Sequence, residues 1–425
     1  MATKKQPMGF GAPTPTQVKK KKNQLKAPED AVLYSHDFVG IIPGDVCISL
    51  EKALLALSLN FEEVSTISTS PMGGPPVETP FVRYSTEDNV EIPYGTFRVE
   101  GLGDISLSQH HYSATTLSIR GLLNSSDCKP VWKSLIAKVN EFGKSESIFR
   151  NRAFQVNTPQ DLIVPRPLAL DQDLTVIFNP EVEKALNTCV LWPLRNRVKA
   201  KKAGIRLRRG AILDGYYGCG KSLFLYNAAK VAFENGWTVV NITPGMIGVA
   251  AMVAPVLGDC CLIVEDVDAG AHGDRDRLNG ILNSISSVST KCSGDFMLLV
   301  STNFLERIDP ALLRPERIDA LVRVTLPEEG TIVKLVHCFA NGRLPKTVKL
   351  PLITEALRGC TPAIIGEVVQ RSLIETEMLG LKHITESMLL SHVESMADQK
   401  RMALPEFRTG SDGDRLAESL QKVIG

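Results

Sequence analysis

Residues 215–222 read Gly-Tyr-Tyr-Gly-Cys-Gly-Lys-Ser, and this short stretch limits the possible folds of the chain more than any other. The spacing G-x-x-x-x-G-K-[ST] is that of a P-loop, in which backbone N–H groups surround phosphates and the lysine reaches the β/γ-oxygens. An apolar run at 210–213 precedes it, and residues 222–235 have a helical pattern, so phosphate would meet a helix N-terminus. The predicted phosphate-binding residues are Gly215, Tyr216, Tyr217, Gly218, Cys219, Gly220, Lys221, Ser222 and Leu223, and Ser222 is also a predicted Mg²⁺ ligand.

The composition is that of an ordinary globular chain. Its 425 residues suffice for two or three domains, and a hydrophobic content of 44% suffices for their cores. The net charge of +1 gives no global attraction to nucleic acid or to a membrane. None of the nine cysteines has C-x-x-C spacing, so no zinc site or disulfide framework is predicted. No apolar run reaches the ~20 residues that span a bilayer, and we expect a cytoplasmic protein without a membrane partner.

The region before the P-loop divides into three parts. Residues 1–30 are rich in lysine and poor in apolar residues, which predicts a disordered basic tail. Residues 31–155 mix helical and alternating patterns, which predict a small α+β domain; we assign it by elimination to partner recognition or assembly. Residues 156–173 are a Pro-containing linker. The adjacent His110 and His111 would point to opposite faces of a strand, so they are not expected to share a metal ion.

Basic residues cluster twice, at Lys19 to Lys22 and between Arg195 and Arg209. Solvated surface accounts for both clusters. A nucleic-acid groove is the alternative, against which counts the absence of a base-stacking aromatic cluster in either stretch.

A second motif follows the P-loop, where the apolar residues 261–264 end in Glu265 and Asp266. An apolar strand that ends in two acids is what a Mg²⁺-dependent nucleoside triphosphatase needs. We predict that Glu265 supports the ion through its waters and that Asp266 orients the attacking water. A surface acidic turn is the alternative. The next apolar run, 296–301, leads to Asn303, whose amide could hold the attacking water or the γ-phosphate.

Two arginines, Arg314 and Arg317, lie three positions apart beyond Asn303. If they sit at the far edge of the sheet, they would reach the P-loop of a neighbouring subunit more easily than their own. An arginine supplied in trans stabilises transition-state charge and makes hydrolysis depend on oligomerisation. Both are therefore predicted catalytic residues, together with Asp266 and Asn303.

The segment from about Gly210 to Leu326 resembles the ATPase core of AAA-family proteins, and the run through Arg317 is similar to that family's second region of homology. Finer detail resembles one branch of the family, the mitochondrial cytochrome bc-complex assembly chaperones. That branch also has Glu-Asp where most AAA proteins have Asp-Glu. The stretches that carry this finer resemblance are residues 262–269, 278–283, 309–315 and 361–363.

Several positions depart from the family pattern. Tyr216-Tyr217 stands where Pro-Pro is usual, and Glu316 stands where a glycine separates the two arginines. Met246 occupies the place of the aromatic residue expected in the central-pore loop, and the segment that follows is short. The membrane helix of the assembly-chaperone branch has no counterpart.

The resemblance implies an α/β fold of the P-loop NTPase type, with a five-stranded parallel sheet flanked by helices. It places an AAA large subdomain at 174–328, a helical lid at 329–400 and a C-terminal tail at 401–425. It implies ATP and Mg²⁺ as cofactors and a homo-oligomeric ring, a hexamer, that hydrolyses ATP to remodel or translocate a protein client. The alternatives are a nucleic-acid-associated ATPase of the helicase or clamp-loader type and a nucleotide-switch scaffold that does not hydrolyse ATP.

Overall fold

A computed structural model describes residues 16–17, 30–38, 41–68, 77–79, 81–86, 90–110, 113–172, 174–246, 253–268, 294–308, 318–345 and 348–397. The chain divides into two compact units. The first comprises Met1–Ala169, Trp237–Leu262 and Thr290–Asp295, and the second comprises Leu170–Gly236, Ile263–Ser289 and Phe296–Gly425. Most of the predicted basic tail, the predicted C-terminal tail, the His111 imidazole and the two predicted trans arginines lie outside the described residues.

The described residues of the first unit form mainly antiparallel strands and two long helices. A five-stranded antiparallel sheet has the order β2-β10-β9-β8-β3, and β6 and β7 pair separately. The helices are α1 (Pro43–Ala56) and α2 (Lys129–Ser145). The strands up to residue 167 are β1 (Thr16–Gln17), β2 (Val32–Phe38), β3 (Phe61–Val64), β4 (Thr66–Ser68), β5 (Val77–Thr79), β6 (Val82–Ser85), β7 (Glu91–Tyr94), β8 (Thr96–Val99), β9 (Gly103–His110), β10 (Ser113–Leu123), β11 (Ala153–Val156) and β12 (Arg166–Pro167).

The core of this unit forms because the apolar residues of α2 recur at helical spacing. Trp132, Leu135 and Val139 are buried in one cluster with residues of α1 and of the sheet. Gly121 on β10 makes room for the indole, since a Cβ there would lie 2.5 Å from a ring atom of Trp132. Burial of these large side chains is the main force that holds the helices on the sheet.

The second unit contains most of the predicted nucleotide-binding region. Its elements before the P-loop are α3 (Pro180–Leu186), a π-helical turn (Asn187–Leu191), α4 (Trp192–Arg195), α5 (Arg197–Lys202) and β13 (Arg209–Gly215). The P-loop leads into α6 (Lys221–Glu234). Two strands follow α6: β14 (Thr238–Ile242), in the first unit, and β15 (Cys260–Val264), which runs from the first unit into the second. The remaining elements are β16 (Phe296–Thr302), β17 (Ala320–Val324), α7 (Glu329–Ala340), α8 (Leu350–Ala356), α9 (Pro362–Met378) and α10 (Glu386–Ser395).

The strands around the P-loop are parallel, as predicted. Within the second unit β13 pairs in parallel with β16 on one side and with β17 on the other. Every residue of β15 and β16 is buried, as expected for parallel strands covered on both faces. The edge strand β17 instead alternates between buried and exposed residues. The α/β P-loop NTPase fold predicted from the sequence is therefore confirmed.

The predicted number of five strands was too low. In the first unit β11 pairs in parallel with β14, with Phe154 opposite Val240, and β12 pairs antiparallel with β11. The strand β12 lies inside the predicted linker 156–173, and β11 ends at its first residue; the prolines of this segment suggested irregular structure. The pairing of β11 depends on a partner far along the chain, which local sequence patterns do not report.

The helices after β17 have a core of their own. Residues of α7, α8, α9 and α10 are buried together, among them Ile332, Ile353, Val368 and Leu389. Thr361 is the N-cap residue directly before α9, and its hydroxyl accepts a hydrogen bond from the Ile364 N–H. In the described part of the chain, none of the helices combines the length and the hydrophobicity that a bilayer crossing requires.

Asn179 occupies the N-cap position of α3 but does not cap the helix with its side chain. Pro180 follows it at the first helical position. The buried amide instead donates to Thr325 Oγ1 at 3.0 Å and Leu326 O at 2.8 Å, and its oxygen accepts from Glu328 N at 2.9 Å. Asn179 thus fixes the segment that joins β17 to α7.

Candidate nucleotide site

The P-loop backbone turns between β13 and α6 through two glycines in the left-handed region. Gly218 has φ +76°, and Gly220, the N-cap residue directly before α6, has φ +89°. This conformation costs other residues about 1–2 kcal/mol. Gly218 also needs its small size, because a Cβ there would lie 2.8 Å from the Cβ of Ala363 at the start of α9. The Gly218 carbonyl accepts a hydrogen bond from Ala363 N at 3.1 Å. Both the backbone conformation at position 218 and the close approach of Ala363 therefore favour glycine there.

Gly218→Ala is expected to destabilise the second unit and to weaken nucleotide binding. Gly204→Ala is the matched control, since Gly204 also has positive φ but a Cβ there would meet no atom within 4 Å. Both variants carry the backbone cost, and Gly218→Ala adds about 1–3 kcal/mol of overpacking against Ala363. Thermal unfolding and titration with a fluorescent ATP analogue measure the two effects. Equal melting temperatures and affinities in both variants would contradict the expected close packing.

Lys221 lies in the first turn of α6 and is only 5% exposed. Its ammonium donates to the carbonyls of Gly215 and Tyr216, both at 2.9 Å, and to Asn303 Oδ1 at 2.7 Å. These three neutral acceptors match the three donors of an ammonium group. The charge of Lys221 is therefore held at the mouth of the P-loop by groups that offset its burial.

Asn303 joins Lys221 to Asp266. Its Nδ2 donates to Asp266 Oδ1 at 3.2 Å, on the opposite side of the amide from the Lys221 contact. Asp266 follows β15 with φ +43°, and its N–H donates to Ser301 Oγ at 2.9 Å. The structure thus brings together three side chains that the sequence patterns indicated separately.

Two further side chains stabilise this arrangement, and the sequence patterns gave them no role. Asp268 Oδ1 accepts from the Thr302 hydroxyl at 2.9 Å and from Asn303 N at 3.0 Å. All three residues are buried. The sequence signal for Asp268 is the acidic run that ends β15, in which it is only a neighbour of the two predicted site residues.

A pocket of about 320 Å³ opens beside these residues. Asp266, which follows β15, and Asn303, which follows β16, line it together with the P-loop. The helices after β17 contribute Phe339, Pro362 and Ala363. The P-loop contributes Tyr217, Gly218, Gly220, Lys221, Ser222 and Leu223.

The described lining of this pocket does not include Gly215, Tyr216 or Cys219. Cys219 is buried, and the ring of Tyr217 packs edge-on against Phe304 with centroids 6.2 Å apart. Gly215 and Tyr216 instead line a second pocket of about 620 Å³, which Asp214 and Arg323 also line. In that pocket Arg323 Nε lies 3.4 Å from Asp214 Oδ2.

The predicted residues differ in how far the structure describes them. Glu265 is half-buried at the end of β15, next to Asp266. Met246 ends a short 3₁₀-helix, Pro244–Met246, and the loop after it lies outside the described residues. Arg314 and Arg317 also lie outside them.

The donor set fits a triphosphate with Mg²⁺. The left-handed conformations of Gly218 and Gly220 turn the loop along the pocket that both residues line, and the Lys221 ammonium supplies the positive charge that phosphate requires. The Ser222 hydroxyl, which lines the pocket, is an oxygen ligand of the kind Mg²⁺ prefers. Carboxylates at the end of β15 complete the set.

Comparison with known proteins agrees with this geometry. The sequence profile of the "ATPase family associated with various cellular activities (AAA)" matches residues 211–326. The chain carries an AAA ATPase domain. The matched residues include the whole P-loop motif, both acids after β15, and Asn303. The AAA domain is an ATP-hydrolysing domain, and its cofactors are ATP and Mg²⁺.

The chain is also similar to proteins of several bacteria that share the name "ATP-dependent zinc metalloprotease FtsH". The protein of Rubrobacter xylanophilus is 29% identical over 255 residues, which are 54% of this chain and 37% of the relative. The protein of Aquifex aeolicus is 25% identical over 297 residues, 64% of this chain and 45% of the relative. The chain therefore spans less than half the length of these relatives. Among the residues that the structure describes, no group of three His, Cys, Asp or Glu side chains is placed to hold a metal ion.

Proposed function

We propose that this chain is an AAA motor that assembles into a homo-oligomeric ring, a hexamer, and uses ATP turnover to remodel a protein partner. The observation that carries the proposal is the hydrogen-bonded row of Lys221, Asn303 and Asp266 beside the P-loop pocket. A row that joins the phosphate-binding cation to a carboxylate suits hydrolysis better than nucleotide storage. The residues 31–155 are proposed to recognise the partner or to support assembly. The same proposal includes membership of the assembly-chaperone branch, which the finer resemblance implies.

Each residue of the row has a distinct task. Lys221 binds the β/γ-phosphate oxygens, and Ser222 and Glu265 hold the Mg²⁺ ion and its waters. Asp266 orients the attacking water, and Asn303 holds Asp266 and the reacting phosphate at a fixed separation. Bound ATP with Mg²⁺ supplies the phosphoanhydride bond that is broken. The protein's part is positioning and charge stabilisation, which dominate catalysis of phosphoryl transfer.

Arg314→Ala is expected to lose turnover while it keeps ATP binding. In this proposal Arg314 of one subunit completes the site of its neighbour, where an arginine contributes about 10³–10⁵ in kcat. ATP hydrolysis and binding of a fluorescent ATP analogue are measured at a concentration where the ring is assembled. Arg195→Ala, at an exposed position at the end of α4, is the control and should hydrolyse ATP normally.

Mixing two inactive variants tests whether the arginine acts in trans. Arg314→Ala subunits keep Lys221, and Lys221→Ala subunits keep Arg314, so a mixed ring contains some complete sites. Turnover should reappear on mixing. Unchanged inactivity of mixed rings, or full turnover of Arg314→Ala as a monomer, would reject the trans arrangement.

The proposed protein partner is tested by comparing two variants as bait. Asp266→Asn should hold ATP and the client together, whereas Lys221→Ala should hold neither. A protein that is retained by the first bait, is absent from the second and is released when ATP is replaced by ADP would have the properties of a client. A bait pair that retains the same proteins would count against remodelling.

A further inference from the structure

The chain leaves the sheet at Thr302, and the next two backbone N–H groups need partners outside the strand ladder. Asp268 Oδ1 accepts from Asn303 N at 3.0 Å, and Thr302 Oγ1 accepts from Phe304 N at 3.1 Å. The Thr302 hydroxyl in turn donates to Asp268 Oδ1 at 2.9 Å. One carboxylate oxygen therefore determines how the backbone turns at the residue that follows β16.

Burial of the Asp268 carboxylate loses hydration free energy. Asp268 is 7% exposed, Asn303 1% and Thr302 0%, and a buried charge is tolerated only where hydrogen bonds offset its lost hydration. A neutral residue that fills the same space would avoid that cost. Asp268 is not among the described residues that line the pocket, so it can affect the site only through the residues that it holds.

The residue held by Asp268 is the one that bridges the site. With its backbone fixed, the Asn303 amide presents Oδ1 to Lys221 and Nδ2 to Asp266. Lysine can only donate and an ionised carboxylate can only accept, so the amide satisfies both partners in one orientation. A small rotation of the Asn303 backbone would break one contact or the other.

The backbone that follows β15 is held by Ser301 of β16 in the same way. Ser301 Oγ accepts from Asp266 N at 2.9 Å, and Ser301 O accepts from Val267 N at 3.0 Å. The end of β16 thus holds the backbone after β15, while Asp268, which follows β15, holds the backbone after β16. Each of the two loops is therefore hydrogen-bonded at its start to a residue of the other strand or loop, and these bonds flank the Asn303–Asp266 contact.

We propose that Asp268 is a positioning residue for ATP hydrolysis, which fixes the backbone at Thr302 and Asn303 so that the Asn303 amide can hold Lys221 and Asp266 together. In this role Asp268 touches neither phosphate nor water and acts through Asn303. The inference rests on the proposed function, because it assigns to Asn303 a part in turnover.

The kinetic test is a double-mutant cycle measured by single-turnover ATPase and by binding of a fluorescent ATP analogue. Asp268→Ala should lower kcat about 10–100-fold and change the ATP Kd by less than about 3-fold, the pattern of a lost transition-state interaction. In an Asn303→Ala background the same change should alter kcat by less than about 2-fold, since residues that act as a unit are not additive. Asp268→Asn keeps an acceptor oxygen at the same position and should retain kcat within about 5-fold.

A second experiment measures the exchange of backbone amide hydrogens in the absence of nucleotide. Hydrogen–deuterium exchange over residues 296–308 of the nucleotide-free protein should be faster in Asp268→Ala than in wild type, and near wild type in Asp268→Asn. If Asp268→Ala does not fold, Thr302→Val, which removes the hydroxyl at nearly constant shape, should lower kcat and speed exchange, whereas Thr302→Ser should do neither strongly.

The outcomes distinguish failure of the positioning role from failure of the proposed function. A wild-type chain without ATP turnover would overturn the proposed function, and the exchange experiment would still test Asp268. Equal losses of kcat from Asp268→Ala with and without Asn303, or unchanged exchange over residues 296–308, would overturn the positioning role. A loss of ATP affinity as large as the loss of kcat would also overturn it, because that pattern indicates general damage to the pocket.

Discussion

Lys221→Ala is expected to abolish nucleotide binding. The ammonium is the only cation among the described residues that line the pocket, and it lies between the P-loop carbonyls and Asn303. Its removal leaves no cationic side chain from the described lining residues to offset the charge of the triphosphate, and the helix N-terminus contributes only about 0.3–1 kcal/mol, or up to ~2 kcal/mol where partly buried. We expect the Kd for a fluorescent ATP analogue to rise at least about 100-fold, which corresponds to about 2.7 kcal/mol.

Two further variants show whether the loss comes from the charge. Lys221→Met keeps most of the side-chain volume without the ammonium and should bind as poorly as Lys221→Ala. Lys202→Ala, at an exposed position at the end of α5, should bind as wild type does. Thermal unfolding of each variant checks the fold, because the P-loop carbonyls lose their donor in both Lys221 variants. Retention of wild-type affinity in folded Lys221→Met would remove the basis of the proposed site.

Asp266→Asn is expected to bind ATP and to hydrolyse very little of it. Asparagine adopts the left-handed conformation as readily as aspartate, so the φ of +43° is not an obstacle. Its amide oxygen can still accept from Asn303 Nδ2, and the geometry of the row should survive. Only the negative charge and the basicity that orient water are lost, for which a fall in kcat of about 10²–10⁴ is typical.

The measurement is single-turnover hydrolysis of radiolabelled ATP beside a binding titration. The ATP Kd should remain within about 3-fold of wild type. Asp171→Asn, at an exposed position before α3, serves as the control for removal of a carboxylate and should turn over normally. Normal turnover by Asp266→Asn would transfer the water-orienting role to another residue, and Glu265 is the carboxylate that the same experiment would then address.

The local parts of this site could be predicted because each of them follows from a short stretch of sequence. Residues 215–222 specify a phosphate loop by glycine spacing alone, and the predicted helix after it begins within one residue of α6. The uninterrupted apolar runs of β15 and β16 indicate strands buried on both faces. Polar residues directly follow both runs, which made Asp266 and Asn303 candidates for the site.

The contacts between those residues could not be predicted. That Asn303 faces Lys221 on one side and Asp266 on the other depends on how Asp268 and Ser301 turn two separate loops. Sequence patterns with periods of 2 or 3.6 residues describe single elements and carry no information on such crosswise contacts. Asn179 illustrates the same limit, since its place before Pro180 and α3 is a local feature of the sequence, whereas its bonds to the segment after β17 join residues 146 to 149 positions apart.

The close approach of Gly218 to Ala363 also bears on how this chain can vary. The two positions share one small space, in which a methyl group at 218 would lie 2.8 Å from the methyl group already present at 363. A bulkier side chain at either position therefore needs a compensating reduction at the other or a shift of the loop. Homologous sequences should show correlated substitution at these two sites, with the sum of the two side-chain volumes conserved more strongly than either residue alone.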